Sequence, residues 1–163
     1  MTAVEVPRAS ASQRLRILNE NNVIAMVGLS ADPMRPSHFA AIYMQAENYT
    51  IIPVNPRYAG QKILGQEVYA GLADIPVPVD IVDVFRKPED CPQIAREAVA
   101  IGAKVFWLQL GIESDESGRI ALENGLEFVQ NRCVKIEHAR FMGGMNLVGL
   151  NTGVVSGRRS LVS

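Results

Sequence analysis

Five consecutive apolar residues, Val23 to Val27, run into Gly28, and a helix start follows at Pro36. An unbroken apolar run of this length suits a strand covered on both faces, which is normally central in its sheet. After Gly28 the chain turns through small and polar residues. Pro36 has the fixed φ that favours the first helical position, Asp32 and Arg35 stand just before it, and the helix is expected to run towards Gln45. A strand, a glycine turn and a helix N-terminus in that order place free backbone N–H groups and the positive end of a helix dipole beside the glycine, which suits a phosphate. The dipole contributes only about 0.3–1 kcal/mol, whereas a micromolar ligand needs roughly 8 kcal/mol. Other residues must therefore supply most of the binding.

The 163 residues fit one domain with a substantial core. A net charge of −1, with both signs spread along the chain, gives no electrostatic footprint for nucleic acid or an anionic membrane. Cys91 and Cys133 are far apart and form no metal-ligand pair, so neither a disulfide framework nor a zinc site is suggested. No apolar run approaches the roughly 20 residues needed to cross a bilayer, and the first residues lack the apolar core of a signal peptide. The expected location is the cytoplasm.

Ser10 or Ser12 can cap a short first helix with Leu15, Ile17 and Leu18 on its apolar side. Thr50 to Val54 reads as the second strand, at a distance suited to a right-handed crossover, although Pro53 argues against a central position. Asn55 to Lys62 reads as a polar loop, and a short helix is expected near Leu72 to Ile75. Asp80 to Phe85, Lys104 to Leu108 and Leu126 to Gln130 supply three more strands. Between them lie helices over Pro88 to Ile101 and from Ser114 to Gly125. Such alternation defines an α/β class: a Rossmann-like, doubly wound, mostly parallel five-stranded sheet with helices on both faces. The domain is expected over residues 13–141, after a disordered start over 1–12. Cys133 to Phe141 reads as a last helix. A Gly/Ser-rich tail follows over 142–163, where Leu147, Val148, Leu150, Val154 and Val155 leave two readings open: a mobile terminus, or a segment that docks on a second copy or another protein.

In a parallel sheet the ligand crevice lies beyond the carboxyl ends of the strands. Those ends read Gly28-Leu29-Ser30, Asn55-Pro56-Arg57, Phe85-Arg86 and Gln109-Leu110-Gly111, with Arg35 and Ser37 at the start of the helix. Two arginines, amides, a hydroxyl and glycines that allow close approach share one edge, as a phosphate-bearing molecule requires. Turn usage alone also accounts for Gly28 and Gly111, and Arg57 and Arg86 also suit solvated surface. A dinucleotide site would show G-x-G-x-x-G after the first strand and an acid after the second. Neither is present, and cationic Arg57 and Lys62 instead suit a ligand with an extra phosphate. That weakens NAD and leaves NADP or coenzyme A.

The blocks Val27-Gly28-Leu29-Ser30, Ile52-Pro53-Val54-Asn55-Pro56, Asp80 to Arg86 and Trp107 to Ile112 together resemble the small bacterial CoA-binding proteins of the YccU type. These are similar to the N-terminal CoA-binding domain of the succinyl-CoA synthetase α subunit. The resemblance spans roughly Arg14 to Glu137. It implies a Rossmann-like fold with CoA across four strand ends, the phosphate end held through Gly28 and Ser30. Asn55-Pro56-Arg57 would line the nucleotide side, and Phe85-Arg86 with Gln109-Leu110-Gly111 would flank the adenine and pantetheine portions. Leu29, Arg35 and Ser37 join the same expected set. The synthetase's second domain, with its phosphorylated histidine, has no counterpart. The expectation is a CoA or acyl-CoA carrier, sensor or subunit without catalysis of its own; the alternative is an NADP-linked oxidoreductase.

No catalytic set emerges from the remaining residues. His38 in the first helical turn reads as partly exposed, with ligand contact as the alternative. His138 beside Glu137 has no nucleophile near it in sequence. Cys91 stands at a helix start, which favours a thiolate, but without an accompanying base it reads as inert. Cys133 follows the fifth strand, which allows it near the thiol end of a ligand. Asp83 breaks an apolar strand, and a hydrogen bond to a neighbouring loop is the one role expected for it.

Overall fold

The structure, a computed structural model, describes residues 5–143; residues 1–4 and 144–163 lie outside it, and with them nearly all of the tail. Helix α1 (Ala11–Glu20) begins at Ser10, whose side chain accepts from the Gln13 N–H, and is followed by β1 (Val23–Val27). Helix α2 (Pro36–Ala46) and β2 (Thr50–Val54) come next, then a hairpin of β3 (Lys62–Ile63) and β4 (Gln66–Glu67). The rest alternates: β5 (Ile81–Val84), α3 (Cys91–Ala100), β6 (Val105–Leu108), α4 (Asp115–Glu123) and β7 (Glu127–Val129). Helix α5 (Val134–His138) ends in a π-helical turn, Ala139–Gly143.

The main sheet has the order β2-β1-β5-β6-β7, and every pairing in it is parallel. Leaving the hairpin aside, that is the 2-1-3-4-5 order of doubly wound folds, in which the switch point lies between β1 and the third strand, here β5. Both strands are buried, and apolar apart from Asp83 of β5, because both faces are covered. Val27, Val84, Phe106, Leu108 and Phe128 meet Ile94, Ala95 and Ala98 of α3 and Ala121 of α4. On the opposite face Ile24, Met26, Ile81 and Trp107 meet Ile17 and Leu18 of α1, Ala41 and Met44 of α2 and Val134 of α5. Trp107 is fully buried and donates its indole N–H to the Arg132 carbonyl at 2.8 Å, so the large apolar ring enters the core without an orphan donor.

Pro53 sits on β2, an edge strand, where its missing N–H costs no ladder bond on the open side. That edge is partly covered: Tyr69 donates to the Pro53 carbonyl, and the Asn55 N–H to that of Tyr69.

Three expectations change. The loop from Asn55 to Lys62 contains a short 3-10 turn, Pro56–Tyr58, and leads into the hairpin, whose turn places Leu64 and Gly65 at positive φ. The polar, two-residue arms gave no period from which to read strands. The described start is not loose: Val6 is buried against the core, and the absence of a side chain at Gly118 leaves room for Val6 and Phe128. Met142, placed with the tail by composition, is buried as well.

Candidate functional site

At the switch point the end of β1 is held by backbone bonds to the end of β5 on one side and to β2 on the other. Phe85 donates to the Val27 carbonyl and Gly28 to that of Val54, each at 2.8 Å. Gly28 has φ +90°, and a Cβ there would lie 2.5 Å from the Phe85 carbonyl oxygen. Only glycine allows this approach, so Gly28 has a structural role beside its place in the hollow: it sets the spacing between the ends of β1 and β5.

The loop beyond Gly28 is fixed from three sides. Asn55 donates its amide to the Leu29 carbonyl at 3.1 Å, and the Ser30 N–H donates to Ser37 Oγ at 3.1 Å. His38 Nδ1–H donates to the Ser30 carbonyl at 2.8 Å. His38 is therefore buried and engaged, and not the partly exposed histidine expected from its helix position. Arg35 occupies the N-cap of α2 without a side-chain cap bond. Arg35, whose Nε lies 3.9 Å from Asp32 Oδ2, lines a polar hollow of about 300 Å3 together with Gly28, Ser30, Pro36, Ser37, Asn55, Arg57, Tyr58 and Phe85. Asn55 Oδ1 accepts from the Arg57 N–H at 3.0 Å, which sets the direction of the Arg57 stem, and the guanidinium lies 5.5 Å from the centre of the Tyr58 ring. The hollow thus offers a helix N-terminus, two serine hydroxyls and two cations within one concavity, a donor set that suits a phosphate.

Phe85 and Pro36 also form the border of a second, larger cleft of about 880 Å3 between α2 and α5. Its walls come from Met34 and Phe39 on one side and Leu110, Ile112, Cys133 and Ile136 on the other, with Arg86, Lys87 and Lys135 also lining it. Met34, Phe39, Leu110 and Ile136 are exposed. Gln109 lines the cleft while its Oε1 accepts from the Val134 N–H at 3.1 Å, so it also fixes the start of α5. Arg86 is paired with Asp90 at 3.1 Å.

The structure thus brings Gly28, Ser30, Arg35, Ser37, Asn55, Arg57, Phe85, Arg86, Gln109 and Leu110 to two adjoining hollows. Pro56 faces a neighbouring groove with Arg86. Leu29 and Gly111 line neither hollow. The Leu29 side chain is in the core, and Gly111, at φ +87°, is a turn whose N–H donates to Asn131 Oδ1. Lys62 lies on the hairpin and lines neither hollow. The cleft wall formed by α5 was missed, apart from Cys133, because nothing in a five-residue helix signals that it folds back beside α2; the one available sign was the apolar surplus at Met34 and Phe39.

Three titratable groups in the interior are shielded. Burial pushes the Cys91 thiol up to about 11, aided by Asp90 and Glu89, and its thiol donates to the Lys87 carbonyl. Burial outweighs the helix start that would favour a thiolate. Asp83 is fully buried between Met26 and Trp107, and burial raises its carboxyl well above the ordinary range. The hydrogen bond expected of it is not formed: neither oxygen has a partner among the described residues. His138 Nδ1 is hydrogen-bonded to the Tyr43 hydroxyl at 2.9 Å, and its ring meets those of Tyr43 and Tyr49 edge-on.

An open parallel sheet of this order, with a polar hollow and an apolar cleft meeting at its switch point, defines a doubly wound, ligand-binding class of domain. The chain belongs to the CoA binding domain family, which it matches over residues 22–139. It is 38% identical over 130 residues to the uncharacterized protein YneT of Bacillus subtilis, covering 80% of this chain and 95% of that one. Among solved structures, a Thermus thermophilus protein (cell-free ID.343) is similar with a TM-score of 0.77 and 36% identity, over 80% of this chain and 98% of that one. A hypothetical protein from Pyrococcus horikoshii has a TM-score of 0.78 and 33% identity, over 86% of this chain and 97% of that one. The fold recurs, at 19% identity and a TM-score of 0.63, in a dinucleotide-forming acetyl-coenzyme A synthetase of Ca. Korarchaeum cryptofilum, over 72% of this chain and 27% of that one.

Proposed function

We propose that the chain binds coenzyme A or an acyl-CoA across the switch point and acts as a carrier, sensor or subunit without catalysis of its own. The observation that carries this reading is the junction of the two hollows at Pro36 and Phe85. CoA has the matching division: a polyanionic nucleotide end, and a long arm ending in a thiol. The phosphates sit in the polar hollow, against Ser30, Ser37 and the α2 N-terminus, with Arg35 and Arg57 as counter-charges. Asn55 and Tyr58 border the nucleotide, and the arm crosses Phe85 into the cleft bordered by Arg86, Gln109 and Leu110. Membership of the CoA binding domain family supports the ligand. The shielding of His38, Cys91 and Asp83 supports a role without chemistry, since none of them offers a free nucleophile or base at the rim.

Side-by-side calorimetric titration with CoA, acetyl-CoA, NADP and NAD tests the proposal. Binding confined to the two CoA compounds is expected; preferential NADP binding accompanied by hydride transfer would replace it with the oxidoreductase reading. Denaturing the purified protein and identifying any small molecule it releases gives an independent answer.

A further inference from the structure

We propose that the apolar cleft receives the hydrocarbon chain of an acyl-CoA, so that the preferred ligand is a thioester of an uncharged aliphatic acid several carbons long; this rests on the CoA reading above. Four exposed apolar side chains, Met34, Phe39, Leu110 and Ile136, converge on one concavity. Exposed apolar surface gathered in this way marks a binding site, whereas single exposed leucines do not. The cleft is concave and its volume of about 880 Å3 falls in the range of small-molecule sites, which favours a small ligand over a flat protein face.

The occupant follows from what adjoins the cleft. It adjoins the polar hollow, with Pro36 and Phe85 lining both, so a molecule anchored by its phosphates can deliver its far end here. The pantetheine arm has two amides that need polar partners, and polar groups lie on only part of the lining, at Arg86, Lys87, Gln109 and Lys135. Two of these are already engaged, Arg86 with Asp90 and Gln109 with Val134. Phe39, Ala40, Ile112 and Ile136 offer nothing to an amide and suit methylene groups. Met34, unbranched and polarizable, adapts to chains of different length.

Each methylene group buried contributes about 0.8 kcal/mol at most, or about fourfold in Kd, and incomplete burial brings this nearer twofold. Calorimetry with CoA, acetyl-CoA, hexanoyl-CoA and succinyl-CoA on the full chain reads the effect. Hexanoyl-CoA is expected to bind at least about tenfold tighter than acetyl-CoA, and Ile136→Asp, with its folding checked by circular dichroism, to reduce that ratio below about threefold. Equal affinities for CoA, acetyl-CoA and hexanoyl-CoA would overturn the hydrocarbon assignment and leave CoA binding intact, as would succinyl-CoA as the tightest ligand. Failure of all four to bind would sink both readings. An unaltered ratio in a folded Ile136→Asp protein would remove this cleft as the site of the chain.

Discussion

Asp83 occupies the centre of β5, flanked by Met26 and Trp107 and shielded from solvent. With no hydrogen-bond partner among the described residues, its carboxylate has nothing to offset desolvation, so burial favours the neutral acid in the folded protein. The unfolded chain releases that proton near the ordinary value of 3.8, and the folded chain well above it. The stability associated with the bound proton is thus complete below about pH 3.8 and is lost progressively as pH rises towards the folded value. One proton corresponds to a slope of up to about 1.4 kcal/mol per pH unit in that window. Urea denaturation at several pH values above 4 should show this fall in the native protein and not in Asp83→Asn; parallel profiles would mean that the carboxyl is ionised in the fold. Gly28 is constrained by backbone and not by charge. Gly28→Ala places a methyl group against the Phe85 carbonyl at a strained φ, and a loss of about 2–4 kcal/mol is expected by chemical denaturation. A loss below about 1 kcal/mol would show that the end of β5 can move aside.

Among the elements, α5 has the greatest influence on the site relative to its length, since Lys135 and Ile136 line the cleft and Val134 is locked to Gln109. It is held in place from α1. Arg14 Nε donates to Glu137 Oε1 at 2.5 Å, both side chains are buried, and Arg14 also donates to the Ala9 carbonyl. Removing one member of a buried pair leaves the other desolvated, at a cost of about 3–5 kcal/mol. Arg132 and Arg140 lie at 4.0 and 3.9 Å from Glu137 and soften the loss, so Arg14→Ala should cost about 2–4 kcal/mol. Adding Glu137→Gln should restore part of it, because an amide needs no counter-charge; a double-mutant cycle with no coupling would show that the pair does not clamp α5. None of this could be read from spacing, because Arg14 and Glu137 are joined only by the fold. The strands, by contrast, were legible: Val23–Val27 and Val105–Leu108 are apolar throughout, and Ile81–Val84 apart from Asp83, because helices cover both faces. The hairpin was illegible because its arms are two residues long, and the buried Val6 because one apolar residue before a helix has no period.

At the scale of the whole molecule, parallel topology is what made part of the site legible. Once the strands are placed, their carboxyl ends must share an edge, and Ser30, Asn55, Arg57 and Phe85 do meet at one hollow. Topology says nothing about which way a side chain points, which is why Leu29 turned inward and Gly111 served a turn. The polar hollow and the sheet together fix how a ligand should act on stability. A ligand that binds only the folded chain adds about 2.7 kcal/mol at a hundredfold excess over its Kd. For a chain of this size that raises Tm by about 5–10 °C. CoA is expected to produce this shift in a thermal melt, with NAD giving none at the same concentration. Arg57 is exposed and faces the hollow, so its attraction for a phosphate is screened by salt. Arg57→Ala should weaken CoA binding about three- to tenfold, the range of one charge-assisted contact at the surface. The difference between native and variant should shrink as ionic strength rises. A variant that keeps the full CoA shift at low salt would place the phosphates away from Arg57, and a native protein that NAD stabilises as well as CoA does would mean that the hollow does not select the extra phosphate.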